Sequence, residues 1–124
     1  MAIKVGIIED EASILELYRL KLTMEGFEVA TAVNGAKGFH MLDEFRPQLA
    51  LVDIRMPGMN GDEMLAKLRA TDWGAEMRVI VLTNLSKDEA PTILRFLNID
   101  RYIVKAHYTP AQVVTTVREV LGLE

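Results

Sequence analysis

The chain has no cysteine among its 124 residues. That excludes disulfides, thiolate metal centres and cysteine nucleophiles at once. Histidine is scarce, with only His40 and His107. No apolar run approaches the roughly 20 residues that a membrane helix needs. Acid interrupts the first apolar run, in "MAIKVGIIEDE", too early for a signal peptide. There is no basic tail and no long run of one sign. The net charge is −4 with Lys and Arg scattered, which argues against a nucleic-acid surface within these residues. Repeats, low-complexity tracts and linkers are also missing. The expectation is a soluble cytoplasmic protein forming one domain over residues 1–124, long enough to bury a core without staples.

What is present is an alternation of short apolar runs and amphipathic stretches. Half the residues are hydrophobic and 26% are charged, an ordinary globular balance. Five runs read as buried parallel strands: "AIKVGII" (2–8), "EVATAV" (28–33), "LALVDI" (49–54), "RVIVLT" (78–83) and "RYIVK" (101–105). They are short and rich in β-branched residues, and several are apolar at consecutive positions, as strands covered on both faces are.

Helical patterns lie between them. Residues 11–26 carry one wet stripe, Glu16, Arg19 and Thr23, on a mostly apolar helix that Gly26 stops. Residues 35–45 align Phe39, Leu42 and Phe45 before Pro47. Residues 61–70 begin with acids that suit the helix dipole and bury Met64, Leu65 and Leu68. Residues 88–98 turn Ile93, Leu94 and Leu97 inward. Residues 109–121 have Thr109 as N-cap, Pro110 at the first helical position, and a stripe of Val113, Val114, Val117, Val120 and Leu121. Pro91 permits helix only in a first turn, so the fourth helix is expected to start near Asp88 and stay short, with Asn98 ending it in the left-handed conformation. Five β–α units predict an α/β fold, (βα)5 and doubly wound, with right-handed crossovers over a parallel sheet.

In such sheets ligands bind beyond the carboxyl ends of the strands. At those ends stand Glu9 and Asp10, Asp53, Thr83 and Lys105. Each has a bland reading alone: a helix cap, ordinary strand composition, a solvated cation. Converging on one edge from separate parts of the chain, they are hard to dismiss. Three carboxylates around one point call for a hard divalent cation, usually Mg2+. The two histidines lie off the cluster, which disfavours zinc. Glu11 reads instead as a charge at the helix start.

These residues carry a resemblance. The acidic pair after the first strand, "LVDIRMPGMNG", "VIVLT" and "YIVK" come in the order and spacing of the receiver domain of two-component response regulators, and the likeness covers the whole chain. The resemblance implies a CheY-like (flavodoxin-like) sheet in the order 2-1-3-4-5. It implies a phosphoacceptor switch catalysing only its own phosphorylation and dephosphorylation, not an enzyme in the ordinary sense. Asp53 would accept a phosphoryl group from a histidine kinase, a phosphotransfer protein or a small acyl phosphate. Glu9, Asp10, Asp53 and the backbone carbonyl of Arg55 would hold Mg2+, or Mn2+ in its place. Lys105 would pair with Asp53 and then with a phosphoryl oxygen, and Thr83 would bond another. Tyr102 would turn inward with Thr83 and change the partner preference of the face made by the fourth helix, fifth strand and fifth helix. That face would bind an output partner or effector domain, or a second copy on activation. Arg55 and Leu85 occupy the positions that tune hydrolysis.

The chain departs from the family at three places. The acidic pair is Glu-Asp rather than Asp-Asp, and the longer Glu9 suits a metal contact through water. Asn84 replaces a very small residue and narrows access. Ala106 replaces a proline that the family sets in a cis peptide, so a trans Lys105–Ala106 bond with a looser 106–110 loop is expected. Two rivals remain: a receiver-like interaction module independent of phosphorylation, and a phosphohydrolase resembling the haloacid dehalogenases. The latter needs an acid two residues after its nucleophile, where this chain has Arg55.

Overall fold

The computed structural model describes residues 2–123. Its strands are β1 (Lys4–Ile8), β2 (Glu28–Ala32), β3 (Leu49–Val52), β4 (Arg78–Thr83) and β5 (Arg101–Val104). They form one parallel sheet in the order β2-β1-β3-β4-β5. The helices are α1 (Ala12–Met24), α2 (Gly35–Phe45), α3 (Gly61–Arg69) and α4 (Pro110–Val120). None of them is long and apolar enough to cross a membrane.

The apolar runs are continuous because each strand feeds two cores. Val5, Ile7, Leu49, Leu51, Ile80 and Leu82 face α1 and α4 with Leu15, Leu22, Val113 and Val117. The alternate residues Ile8, Ala50, Val52, Val79 and Val81 face α2 and α3 with Leu42, Met64, Leu65 and Leu68. Side chains one residue apart point to opposite faces of a strand, so a strand covered on both sides has no position left for a polar residue.

Helix boundaries follow their caps. Asn34 accepts from the Lys37 N–H at 2.8 Å. Thr109 and Gln112 exchange side-chain and backbone bonds of 3.1 and 2.8 Å around Pro110. Gly26 ends α1 at φ +94. The buried stripe of α1 is Leu15, Tyr18 and Leu22. Its remaining apolar residues are not all inside, since Leu17, Leu20 and Met24 are exposed alongside the expected wet stripe.

The fourth connection corrects the expectation of a helix. Residues 88–98 form no α-helix; two 3₁₀ turns, Lys87–Glu89 and Thr92–Phe96, take its place. Proline explains the break. A helix begun at Ser86 would need the N–H of residue 91 to reach the Lys87 carbonyl, and Pro91 has none. The residue before proline is also driven out of the helical region, and Ala90 lies at φ −65, ψ 142. Leu94 and Leu97 are buried as expected, but Ile93 is 43% exposed. Asn98 does adopt the left-handed conformation, at φ 53.

Arg69, at the end of α3, ties this connection down. Its guanidinium donates to the carbonyls of Gly74 (2.8 Å), Met77 (2.7 Å), Leu97 (2.7 Å) and Asn98 (3.1 Å). Replacing Arg69 with Met should leave these acceptors unsatisfied and cost about 3 kcal/mol. The measurement is the urea midpoint, with an unchanged slope showing that the effect is on stability alone.

Candidate functional site

Glu9, Asp10, Asp53, Thr83 and Lys105 each stand at or just beyond the carboxyl end of a strand, so the sheet register places the site. The Glu9 N–H donates to Ala32 O and the Asp53 N–H to Ile8 O, both at 3.0 Å, prolonging the ladder past β1 and β3. Thr83 is the last residue of β4, and Lys105 follows β5. Glu9 is 2% exposed, Asp53 7% and Thr83 1%. Buried polar groups need partners, and these have them.

Lys105 Nζ donates to Oε1 of Glu9 in a short contact and to Oδ2 of Asp53 at 3.1 Å. The other Glu9 oxygen accepts from the Glu11 N–H at 3.1 Å. Oδ1 of Asp53 accepts from the Ile54 N–H at 2.7 Å. The Thr83 hydroxyl accepts from the Leu85 N–H at 3.4 Å, which leaves its own proton available.

Burial pushes the Glu9 carboxyl above its usual range, and Lys105 opposes that rise. For Lys105, burial works against the charge, but the Glu9 hydrogen bond and the nearby carboxylates outweigh it and hold the ammonium above its usual value.

Glu9, Asp10 and Asp53 each offer a carboxylate oxygen, all within 4.8 Å of one another. An all-oxygen set of this charge fits a hard divalent cation such as Mg2+. His40 sits away on α2 beside Glu44, and neither histidine belongs to the cluster. Asp10 is exposed and opens the set to solvent. Glu11 lies at the N-cap of α1, where its carboxylate makes no capping bond.

The cavity over Asp53 has a volume of about 350 Å3 and is walled by Arg55, Asn84, Leu85 and Glu89 as well as the catalytic candidates. A larger cleft of about 640 Å3 runs along α2 but gathers no comparable set of converging groups. Hydrogen bonds with Ser86 hold the Glu89 carboxyl below its usual range, and Arg55 adds to the effect. Tyr102 is half-buried; its hydroxyl donates to Leu85 O at 2.8 Å and lies 3.3 Å from Ser86 O. Tyr102 is thus fastened to the loop that leaves Thr83. The Lys105–Ala106 bond is trans, as expected, and Lys105–His107 forms a 3₁₀ turn.

Gly61 sets the floor of the site. Its N–H donates to Ile54 O at 2.8 Å, and α3 approaches β3 so closely that a Cβ there would lie 2.0 Å from Asp53 O.

Two features were not read from the sequence. Lys105 is shared between Glu9 and Asp53 rather than paired with Asp53 alone, and Glu89 faces the cavity mouth. The extra methylene of Glu9 is the only sequence signal for the first. The second depends on the 3₁₀ turn that Pro91 forces.

Known proteins share this fold. The response regulator receiver domain family matches residues 5–118. The transcriptional regulatory protein AfsQ1 of Streptomyces coelicolor is 35% identical over 99 residues, 80% of this chain and 43% of that protein. The phosphate regulon transcriptional regulatory protein PhoB of Rhizobium meliloti is 32% identical over 86% of this chain and 47% of its own length. The chain therefore spans about half the length of these curated relatives. A CheY-like response regulator receiver domain protein from Methanospirillum hungatei superposes with a TM-score of 0.88 at 28% identity, covering 98% of this chain and 95% of that one.

Proposed function

The chain belongs to the response regulator receiver domain family, and from that premise we propose that Asp53 is the phosphoacceptor of a two-component signalling switch. The observation that carries the reading is the convergence of three carboxylates, a buried ammonium and a buried hydroxyl on one edge of the sheet. A carboxylate attacks phosphorus without difficulty once it is positioned and the surrounding negative charge is offset.

Asp53 forms the new oxygen–phosphorus bond as the donor's bond to phosphorus breaks, giving an acyl phosphate. The donor is the phosphohistidine of a kinase or phosphotransfer protein, or a small acyl phosphate. Lys105, already against Oδ2, turns its ammonium to a phosphoryl oxygen. Thr83 donates its free hydroxyl proton in a hydrogen bond to another and draws the 84–86 loop inward. Glu9, Asp10, Asp53 and the Arg55 carbonyl would hold Mg2+, or Mn2+, with Glu9 reaching it through water. The ion supplies charge neutralisation.

Tyr102 carries the change outward because it grips the same loop, and the readout is a population shift. The responding face consists of the two 3₁₀ turns of the fourth connection, β5 and α4. It would meet an output partner, an effector domain or a second copy of the chain. Relatives named as transcriptional regulators support an output in transcription. Arg55 and Leu85 wall the cavity and would set the lifetime of the phosphoryl group by controlling water. The reading places the domain, residues 1–124, in the cytoplasm.

Incubation with acetyl phosphate and Mg2+ tests this. Mass spectrometry should find one added phosphoryl group, absent from Asp53→Ala and absent when the metal is chelated. Equal labelling of Asp53→Ala, or none in the unaltered protein, would overturn the proposal.

A further inference from the structure

The 3₁₀ turn after β4 adds a charge to the phosphoryl site that the proposed reaction does not use. Glu89 is the last residue of the turn Lys87–Glu89. Of that turn's residues it alone lines the cavity over Asp53, while Lys87 and Asp88 line the cleft beside Tyr108. Glu89 is exposed but held in place. Its Oε1 accepts from the Ser86 N–H at 3.0 Å, and its own N–H donates to Ser86 O at 3.1 Å. Ser86 O is in turn 3.3 Å from the Tyr102 hydroxyl. The bonds to Ser86, with Arg55 nearby, hold the carboxyl below its usual range, so it stays ionised at neutral pH. The cavity wall carries four acids, Asp10, Glu11, Asp53 and Glu89, against the two cations Arg55 and Lys105. Asp10 and Asp53 belong to the candidate metal set, whose cation would offset them, and Glu89 lies outside that set. Its charge therefore faces whatever anion comes in from solvent.

We infer that Glu89 is a specificity-determining residue for the phosphoryl donor, disfavouring each donor according to the negative charge it brings. This holds only if Asp53 is the phosphoacceptor, as proposed above. Coulomb energy is linear in the charge of the donor, so the factor lost by a dianion is the square of that lost by a monoanion. For an exposed charge the factor is small, about twofold per unit of donor charge. A free acyl phosphate is doubly charged and bears the whole penalty. A phosphohistidine delivered by a protein offsets the penalty through contacts elsewhere on the protein's surface. Glu89 thereby biases the site toward a protein donor.

The test compares acetyl phosphate, a dianion at neutral pH, with phosphoramidate, a monoanion, in the unaltered protein and Glu89→Gln. Mg2+ is saturating, ionic strength is low and fixed, and mass spectrometry follows the rate of labelling. Glutamine keeps the oxygen that accepts from the Ser86 N–H, so the substitution removes charge and spares the turn. It should raise the phosphoramidate rate about twofold and the acetyl phosphate rate about fourfold. Both gains should vanish in 1 M NaCl, where the Debye length falls to about 3 Å. Unchanged rates would overturn the inference. So would equal gains for the two donors, or gains that survive salt, since loop shape rather than charge would then be responsible. In an Arg55→Gln background the fourfold gain with acetyl phosphate should persist. Its loss there would mean that Glu89 acts only by drawing Arg55 aside, and would also overturn the inference. If neither donor labels the unaltered protein, the phosphoacceptor reading fails and this inference with it. If both label it and their ratio does not move in Glu89→Gln, this inference alone fails.

Discussion

Replacing Lys105 with Met is expected to slow phosphorylation by acetyl phosphate on the order of 100-fold, the usual loss when one preorganised cation or donor leaves a site of developing negative charge. The same change should destabilise the fold by about 3 kcal/mol at neutral pH, because removing one partner of a buried ion pair strands the others. Here the stranded groups are two carboxylates, Glu9 and Asp53. Burial already raises the Glu9 pKa, and Lys105 is the group that opposes the rise. Without it Glu9 should go higher still. An acid whose folded pKa exceeds its unfolded one binds protons more readily when folded, so stability falls as pH rises through that window. The defect of Lys105→Met should therefore be greatest near neutrality and shrink toward about pH 5. Urea midpoints measured across that range decide the matter. A pH-independent defect would mean that Lys105 contributes through packing rather than charge.

The second large effect lies in the backbone. Gly61→Ala should lower stability by about 3 kcal/mol, since the added methyl group meets main chain that has nowhere to go. Its Cβ would stand 2.0 Å from Asp53 O and 3.0 Å from Ile54 Cα. The strand end that carries Asp53 must therefore shift, and phosphorylation should fall together with the melting temperature. Gly58, in the loop that leads into α3, is the control. It sits at φ +76, and an added methyl group there would have no neighbour within 4 Å. Gly58→Ala should therefore cost only the left-handed strain of about 1–2 kcal/mol and leave phosphorylation intact. Thermal melts and acetyl phosphate labelling of the pair separate crowding at Asp53 from general loosening of the loop.

Much of the architecture was legible because the physics is local. Apolar runs bounded by turns gave all five strands, with β4 matching at both ends. Thr109 and Pro110 marked the start of α4. The members of the site could be named because each stands at a strand end, where a parallel sheet collects its chemistry. The illegible parts depend on distance along the chain. Nothing near Arg69 announces carbonyls 28 and 29 residues away. Nothing near Glu9 announces Lys105, 96 residues on. The fourth connection is an intermediate case. Pro91 signalled the trouble, but whether the chain would restart as α-helix or tighten to 3₁₀ turns depended on packing that no window of sequence contains. On α1, apolar residues on both sides of the wet stripe concealed which set faces the sheet.

The way the fourth connection is held has a consequence for how such a domain can diversify. Tyr102 grips it at Leu85 and Ser86, and Arg69 grips it at Leu97 and Asn98. All four grips are on main-chain carbonyls, which every amino acid supplies. Between them Lys87, Asp88, Thr92, Ile93, Arg95 and Phe96 face solvent. Their identities can change without loosening either end. The fastening is written in two residues outside the segment, so the exposed surface of the fourth connection can be rewritten while both of its anchors stay untouched.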